Sequence, residues 1–133
     1  MGQFIGTAEL TPLESNDGRN WRVDAPLSYV SSGGERIDVP VGFITDLASV
    51  PRPLWVFWPP EGLYSEPAVI HDAMYTQQKL TRVRADAILL EAMKDWGVPW
   101  YDRWPIYAGV RAGGWVAWAE HAKQNAANKI TGS

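Results

Sequence analysis

Two helical stretches separated by only four residues constrain this chain more than any other feature. Thr81 has the side chain of an N-cap and Gly97 is a natural stop, so the sequence predicts a helix over 82–96. Ahead of it, Ser65 reads as a cap and Pro67 suits a first turn. That earlier helix ends in a polar link, Gln77 to Leu80. A link so short joins antiparallel neighbours, and a helical hairpin is therefore the organising unit.

Within that hairpin, periodicity and polarity conflict. At about 100° per residue, Met93, Asp86, Leu90 and Val83 fall on one side of the second helix, extended by Leu89, Trp96, Ala85 and Ala92. Arg84, Glu91, Lys94 and Asp95 occupy the opposite, solvent-facing side. Asp86 thus sits amid the apolar face, where a carboxylate is costly unless paired. On the first helix His71, Tyr75, Ala68 and Asp72 cluster on one flank, and Val69, Ala73, Ile70 and Met74 on the other. Packing the two faces together brings Asp86 to His71. The pair is either a structural clasp that ties the hairpin or the core of a functional site.

A chain of 133 residues with 46% apolar content forms one domain with a real core. A formal net charge of −3 gives no electrostatic reason to expect nucleic acid or an anionic surface as partner. The absence of cysteine excludes disulfides, thiolate zinc sites and cysteine nucleophiles. The opening M-G-Q-F-I-G-T has neither a basic leader nor a long apolar run, so no secretory signal is expected. No apolar stretch reaches transmembrane length.

The expected fold class is α+β: a small antiparallel sheet or set of hairpins in the N-terminal half, packed against about three helices. The single domain 1–133 divides into a β-rich part (1–50), a Pro- and Trp-rich loop (51–64) and a helical part (65–125). Phe4 to Glu9 suits a strand, and Asn16-Asp17-Gly18 is a turn signal. Trp21 to Asp24 and Leu27 to Val30 alternate like half-buried strands. Ser31-Ser32-Gly33-Gly34 then turns the chain into Arg36 to Val39 as a hairpin. A third helix is predicted from Asp102 as N-cap to about Asn125, with Gly109, Gly113 and Gly114 marking close packing or a kink. Beyond Asn125 a frayed polar tail is expected. The eight tryptophans either fill the core or line a contact surface.

Asp46, in G-F-I-T-D-L-A-S-V-P, follows a strand and precedes a turn. Thr45, Asp46 and Ser49 either satisfy local backbone groups or join the helical residues. In the second case Asp46, His71, Asp72 and Asp86 make one imidazole and three carboxylates. That set suits a divalent cation: calcium, magnesium or manganese, with zinc less natural. Tyr75, Thr45, Ser49 and Arg52 are the supporting residues. His121 reads as a surface or cap residue. Ser49 lacks a nucleophile elbow, and no phosphate-binding loop is present.

The blocks G-F-I-T-D-L-A-S-V-P-R (42–52), P-P-E-G-L-Y (59–64), A-V-I-H-D-A-M-Y (68–75) and R-A-D-A-I-L-L-E-A-M (84–93) resemble domain-of-unknown-function family 1353, from about Tyr29 to Trp118. That family occurs widely in tailed phages and prophages, so the resemblance implies a viral origin and carries no activity. H-D-x-x-Y on one helix, with A-D near the start of the next, is also similar to the helix pair of phospholipase A2 enzymes. This second resemblance implies His71 as general base, Asp72 as calcium ligand, Asp86 as the acid that orients His71, and Tyr75 as support. The upstream loop departs from that pattern, being Pro- and Trp-rich with Gly62 as its only glycine.

Two functional expectations follow. One is a phage-encoded, metal-assisted hydrolase, calcium favoured, acting on an ester or envelope substrate. The other is a non-catalytic virion or assembly component, or a binder of a host factor, that meets other phage or host proteins through exposed tryptophans. The expected location is the cytoplasm of an infected bacterium or the virion.

Overall fold

A computed structural model describes residues 2–6, 9–12, 21–45 and 65–131. Its element order is β1 (Gln3–Ile5), β2 (Leu10–Pro12), β3 (Trp21–Val23), β4 (Leu27–Val30), β5 (Arg36–Val39), β6 (Ile44–Thr45), α1 (Ser65–Gln77), α2 (Arg82–Trp96), α3 (Trp100–Gly113) and α4 (Trp115–Thr131). The architecture is α+β, as the sequence predicts. The strands form two three-stranded antiparallel sheets, β1-β4-β5 and β2-β3-β6, rather than one.

The predicted β4–β5 hairpin forms, with Leu27 opposite Val39 and Tyr29 opposite Ile37. Along β5 burial alternates, Ile37 and Val39 facing in and Arg36 and Asp38 facing out, the period of a strand with one wet face. Of the strand expected over Phe4 to Glu9, only Phe4 and Ile5 lie in one, β1, which ends before Gly6 at φ 86° against the Pro26 carbonyl. The next strand, β2, begins beyond the expected range and pairs in the other sheet.

Helix α1 is the centre of the molecule. Every residue from Glu66 to Tyr75 is buried, because the helix touches α2, α4, β4, β5 and β6. A helix enclosed on all sides normally carries apolar residues all round; this one carries His71 and Asp72 as well. Helix α2 has the predicted bounds. The Thr81 hydroxyl accepts from the Arg84 N–H, and the N–H groups of Gly97 and Val98 close back on the Lys94 and Met93 carbonyls, a Schellman arrangement sealed by buried Val98.

The polar face of α2 is not simply solvated. Arg84 makes a two-pronged ion pair with Glu35. Glu91 accepts from the Ser32 N–H (2.7 Å) and hydroxyl (2.5 Å). Asp95 accepts from the Tyr29 hydroxyl (2.5 Å) and the Gly2 N–H (2.8 Å). These bonds fasten the hairpin to α2, and Tyr29, with no exposed surface, is the anchor between them.

The predicted third helix is two helices, so the helical half holds four. Pro99 takes the cap position, its carbonyl accepting from Asp102 and Arg103, and Asp102 falls in the first turn, where its charge complements the helix dipole. Gly114, at φ −68° and ψ −15°, separates α3 from α4, which continues to Thr131, past the expected end. Asn125, which donates to the Thr76 carbonyl (2.9 Å), ties this last stretch to α1. Among the six described tryptophans, Trp21, Trp96 and Trp118 are partly buried, while Trp100, Trp104 and Trp115 are exposed. No helix among the described residues is long and apolar enough to cross a membrane.

Gly97 holds φ 94° with open space around its missing Cβ, so a side chain there meets only backbone strain. Gly97→Ala is expected to cost about 1–2 kcal/mol, read as a fall in melting temperature of roughly 3–6 °C with no change in the folded-state spectrum.

Candidate functional site

Asp86 has no exposed surface, and its two oxygens divide the work of compensating it. Oδ1 accepts hydrogen bonds from His71 Nε2 (2.8 Å) and the Tyr75 hydroxyl (2.6 Å). His71 and Tyr75 stand four residues apart on α1, so they share a face. Oδ2 accepts from Arg111 on α3 (2.7 Å), with the Arg82 guanidinium at 3.4 Å. Arg82 precedes Asp86 by one turn of α2 and also donates to the Val110 and Arg111 carbonyls, both at 3.3 Å. Those carbonyls belong to the last turn of α3, where the Val110 oxygen also accepts from the Gly114 N–H (2.7 Å).

The rings stack outward from this centre. Tyr75 lies 4.3 Å from the His71 ring, and Trp118 meets its other side edge-on at 5.1 Å. Gly114 is required where α3 passes into α4. A Cβ there would lie 2.5 Å from the Val110 carbonyl oxygen and 2.7 Å from the Tyr75 hydroxyl. The close approach of this junction to Tyr75 therefore needs a residue without a side chain.

Burial lowers the His71 pKa from its ordinary 6.5, outweighing the pull of Asp86, and His71 is neutral. Burial alone would raise Asp86. The hydrogen bonds from His71, Tyr75 and Arg111 reverse that and hold its carboxyl below the ordinary value. Tyr75 is pushed up by burial and by the adjacent carboxylate. An ionised carboxylate only accepts. His71 Nε2 therefore carries the proton that Asp86 receives, and Nδ1 is the unprotonated nitrogen of the neutral ring.

Asp72, which follows His71 on α1, is also buried. Its Oδ2 accepts from the Thr45 hydroxyl at the end of β6 (2.5 Å), and its Oδ1 lies 3.8 Å from His121 Nε2 on α4. Thr45 itself is buried. The dipeptide His71-Asp72 thus extends an imidazole to α2 and a carboxylate toward β6 and α4. Asp46, Ser49 and Arg52 lie outside the described residues, as do Trp55 and Trp58. Among the described residues, no three His, Asp or Glu side chains converge closely enough to hold a metal ion. A cleft of about 180 Å³ opens between β5 and the end of α1, lined by Glu35, Ile37, Met74, Lys79 and Leu80 among others. It contains none of the predicted site residues.

His71, Asp86 and Tyr75 come together as the helical hairpin predicts, and Thr45 reaches Asp72. Reasoning from the sequence missed Arg82, Arg111, His121 and Gly114. Arg82 was within reach, since a cation one turn before a buried acid is a pairing signal. Arg111 and His121 arrive from α3 and α4, and no spacing along the chain announces them.

Tyr75→Phe removes one hydrogen bond to a charged acceptor and is expected to cost about 1.5–3 kcal/mol in chemical denaturation. The pH dependence has a definite sign. The native state leaves His71 unprotonated, while the unfolded chain takes up a proton below its ordinary 6.5. Stability is therefore full above that value and declines as pH falls toward 5, by up to about 1.4 kcal/mol per pH unit. Below the ordinary 3.8 of an aspartate, Asp86 adds to the decline. Melting curves of His71→Gln between pH 7.5 and 5 should show a shallower slope.

Comparison with curated proteins and with solved structures gave no match. Residues 21–110 match the family described as a protein of unknown function, DUF1353. That span runs from β3 to the last buried residue of α3 and includes Thr45, His71, Asp72, Tyr75, Arg82 and Asp86. Since it covers more than half of the chain, the protein belongs to the DUF1353 family.

Proposed function

We propose that this protein is a hydrolase in which His71 activates water and Asp86 orients it. One observation carries the reading: a neutral, buried imidazole whose Nε2–H is spent on a carboxylate that Tyr75 and two arginines also fix. A ring held in that tautomer presents Nδ1 as a base, which takes a proton from water as the oxygen attacks an ester carbonyl. The likeness to the phospholipase A2 helix pair supports the same roles, and Tyr75 stands one turn after His71 as that pattern requires. An ester of the lipid or cell-envelope type is the substrate class, and the resemblance to phage and prophage proteins sets the action in an infected bacterium or in the virion.

The carbonyl needs an electrophile. Asp86 is not available to a cation, because Arg111 and Arg82 already neutralise it. This reading assigns the cation to Asp72, as the phospholipase A2 resemblance implies, and to Asp46, which follows Thr45 directly in sequence. In this reading the pair would hold a divalent cation that supplies Lewis-acid polarisation of the carbonyl when bound. His71 and Asp86 have no exposed surface, so turnover requires an opening that admits water and the ester.

That same burial, together with the exposed Trp100, Trp104 and Trp115, favours a second reading. In it the His-Asp cluster is a clasp, and the protein acts by docking on another phage or host protein through the aromatic surface of α3 and α4.

The two part on one experiment. Hydrolysis of short-chain and phospholipid esters is measured with calcium, magnesium, manganese or zinc, for the wild type and for His71→Asn. The hydrolase reading expects turnover that falls at least about 100-fold in the variant while the variant still folds. Equal turnover in both removes His71 from the reaction. No turnover in the wild type with any of the four ions leaves the docking reading.

A further inference from the structure

Helix α3 has no polar face. Every exposed residue along it is aromatic or aliphatic: Trp100, Tyr101, Trp104, Ala108 and Ala112. At about 100° per residue, the last four lie within an arc of about 80°, opposite Ile106 and Val110, which enter the core. The charged residues are drawn aside. Arg103 donates to the Val98 carbonyl (3.1 Å) and Arg111 to Asp86 (2.7 Å), while Asp102 sits in the first turn. A surface helix normally turns its charges to water and its apolar stripe to the core, but α3 is apolar on both sides. Beyond Gly114, α4 opens with the exposed Trp115 and Val116.

We infer that this stripe is the interface of a homodimer, in which α3 packs antiparallel on α3 of a second copy. Area, charge and shape select that occupant. Trp100, Tyr101, Trp104 and Trp115 are each 50–65% exposed. At about 150–250 Å² per aromatic side chain, they present roughly 500 Å². With Val116 and the alanines, the face reaches the roughly 600 Å² per partner at which standard interfaces begin. The stripe carries no charge, so two copies meet on it without repulsion, and a charged partner gains nothing there. A bilayer surface also takes exposed tryptophans, yet the stripe presents no Lys or Arg to lipid headgroups.

Its shape is self-complementary. Trp104 precedes Ala108 by one turn, and Ala112 follows it by one. About a two-fold axis at Ala108, Trp104 of each copy lies over Ala112 of the other, and the paired Ala108 methyls let the helices approach. Edge-on contacts of Trp100 with Tyr101 (5.8 Å) and Trp104 with Tyr107 (5.9 Å) hold the rings in place beforehand, which limits the freedom lost on association. The dimer gives the aromatic surface of the docking reading a specific occupant, and it stands whether or not His71 is catalytic.

Sedimentation equilibrium of the full chain at about 50 µM is expected to give a dimer. Ala108→Glu and Ala108→Lys each set like charges against one another across the axis and should weaken association at least about tenfold, with helical content unchanged. Mixing the two variants in equal amounts sets opposite charges face to face and should restore the dimer, a rescue that a folding defect cannot produce. A dimer indifferent to both substitutions overturns the inference, and so does a mixture that stays monomeric. A monomeric wild type overturns it too: sedimentation with phosphatidylcholine vesicles then gives the stripe to lipid, and indifference to them leaves it to a different protein. The hydrolase reading fails separately, since a dimer restored by mixing but inactive on every ester keeps the interface and removes only the reaction.

Discussion

A carboxylate sealed from water at the meeting point of three helices has to be compensated from each of them, and much of the helical half is arranged by that requirement. Helix α1 supplies His71 and Tyr75, α2 supplies Arg82, and α3 supplies Arg111, all to Asp86. Burying an unpaired charge costs several kcal/mol even after the protein relaxes. Docking of α3 is therefore part of what makes the burial of Asp86 tolerable, and the reverse also holds. The apolar contacts of Ile88, Leu89, Ile106 and Val110 supply the driving force. The polar centre selects which packing of those helices is acceptable.

Charge balance also separates the two carboxylates that α1 touches. Asp86 is enclosed by guanidiniums and a neutral imidazole, so it anchors α1, α2 and α3 to one another. Asp72, one residue along from His71, faces a hydroxyl and a second imidazole.

The hairpin of α1 and α2 was legible because its signals are local: the Thr81 cap, the Gly97 stop, and an acid interrupting an apolar stripe. The meeting of Asp86 with His71 and Tyr75 followed from helix periodicity and the shortness of the link. The β4–β5 hairpin was legible for the same reason, having a turn rich in serine and glycine between alternating strands. Contributions from distant elements were not. Arg111 is separated from Asp86 by 25 residues, and its position in a helix expected to be continuous gave no hint that it turns inward. The break at Gly114 separates α3 from α4, and a run of glycines alone does not say whether a helix is interrupted or merely packs closely. Arg84, Glu91 and Asp95 read as a solvated face because polarity is visible in sequence, while the sheet that covers them is not.

Gly114 has a further consequence for how this chain tolerates change over generations. A side chain there would approach the Tyr75 hydroxyl and Arg82, the same groups that complete Asp86. A larger residue at 114 would have to displace the Val110 carbonyl as well as Tyr75, and losing Tyr75 leaves Asp86 short of a donor and places more demand on Arg82 and Arg111. Residues 75, 82, 86, 111 and 114 thus form a single unit of inheritance. Substitutions among them are expected to appear in concert or not at all.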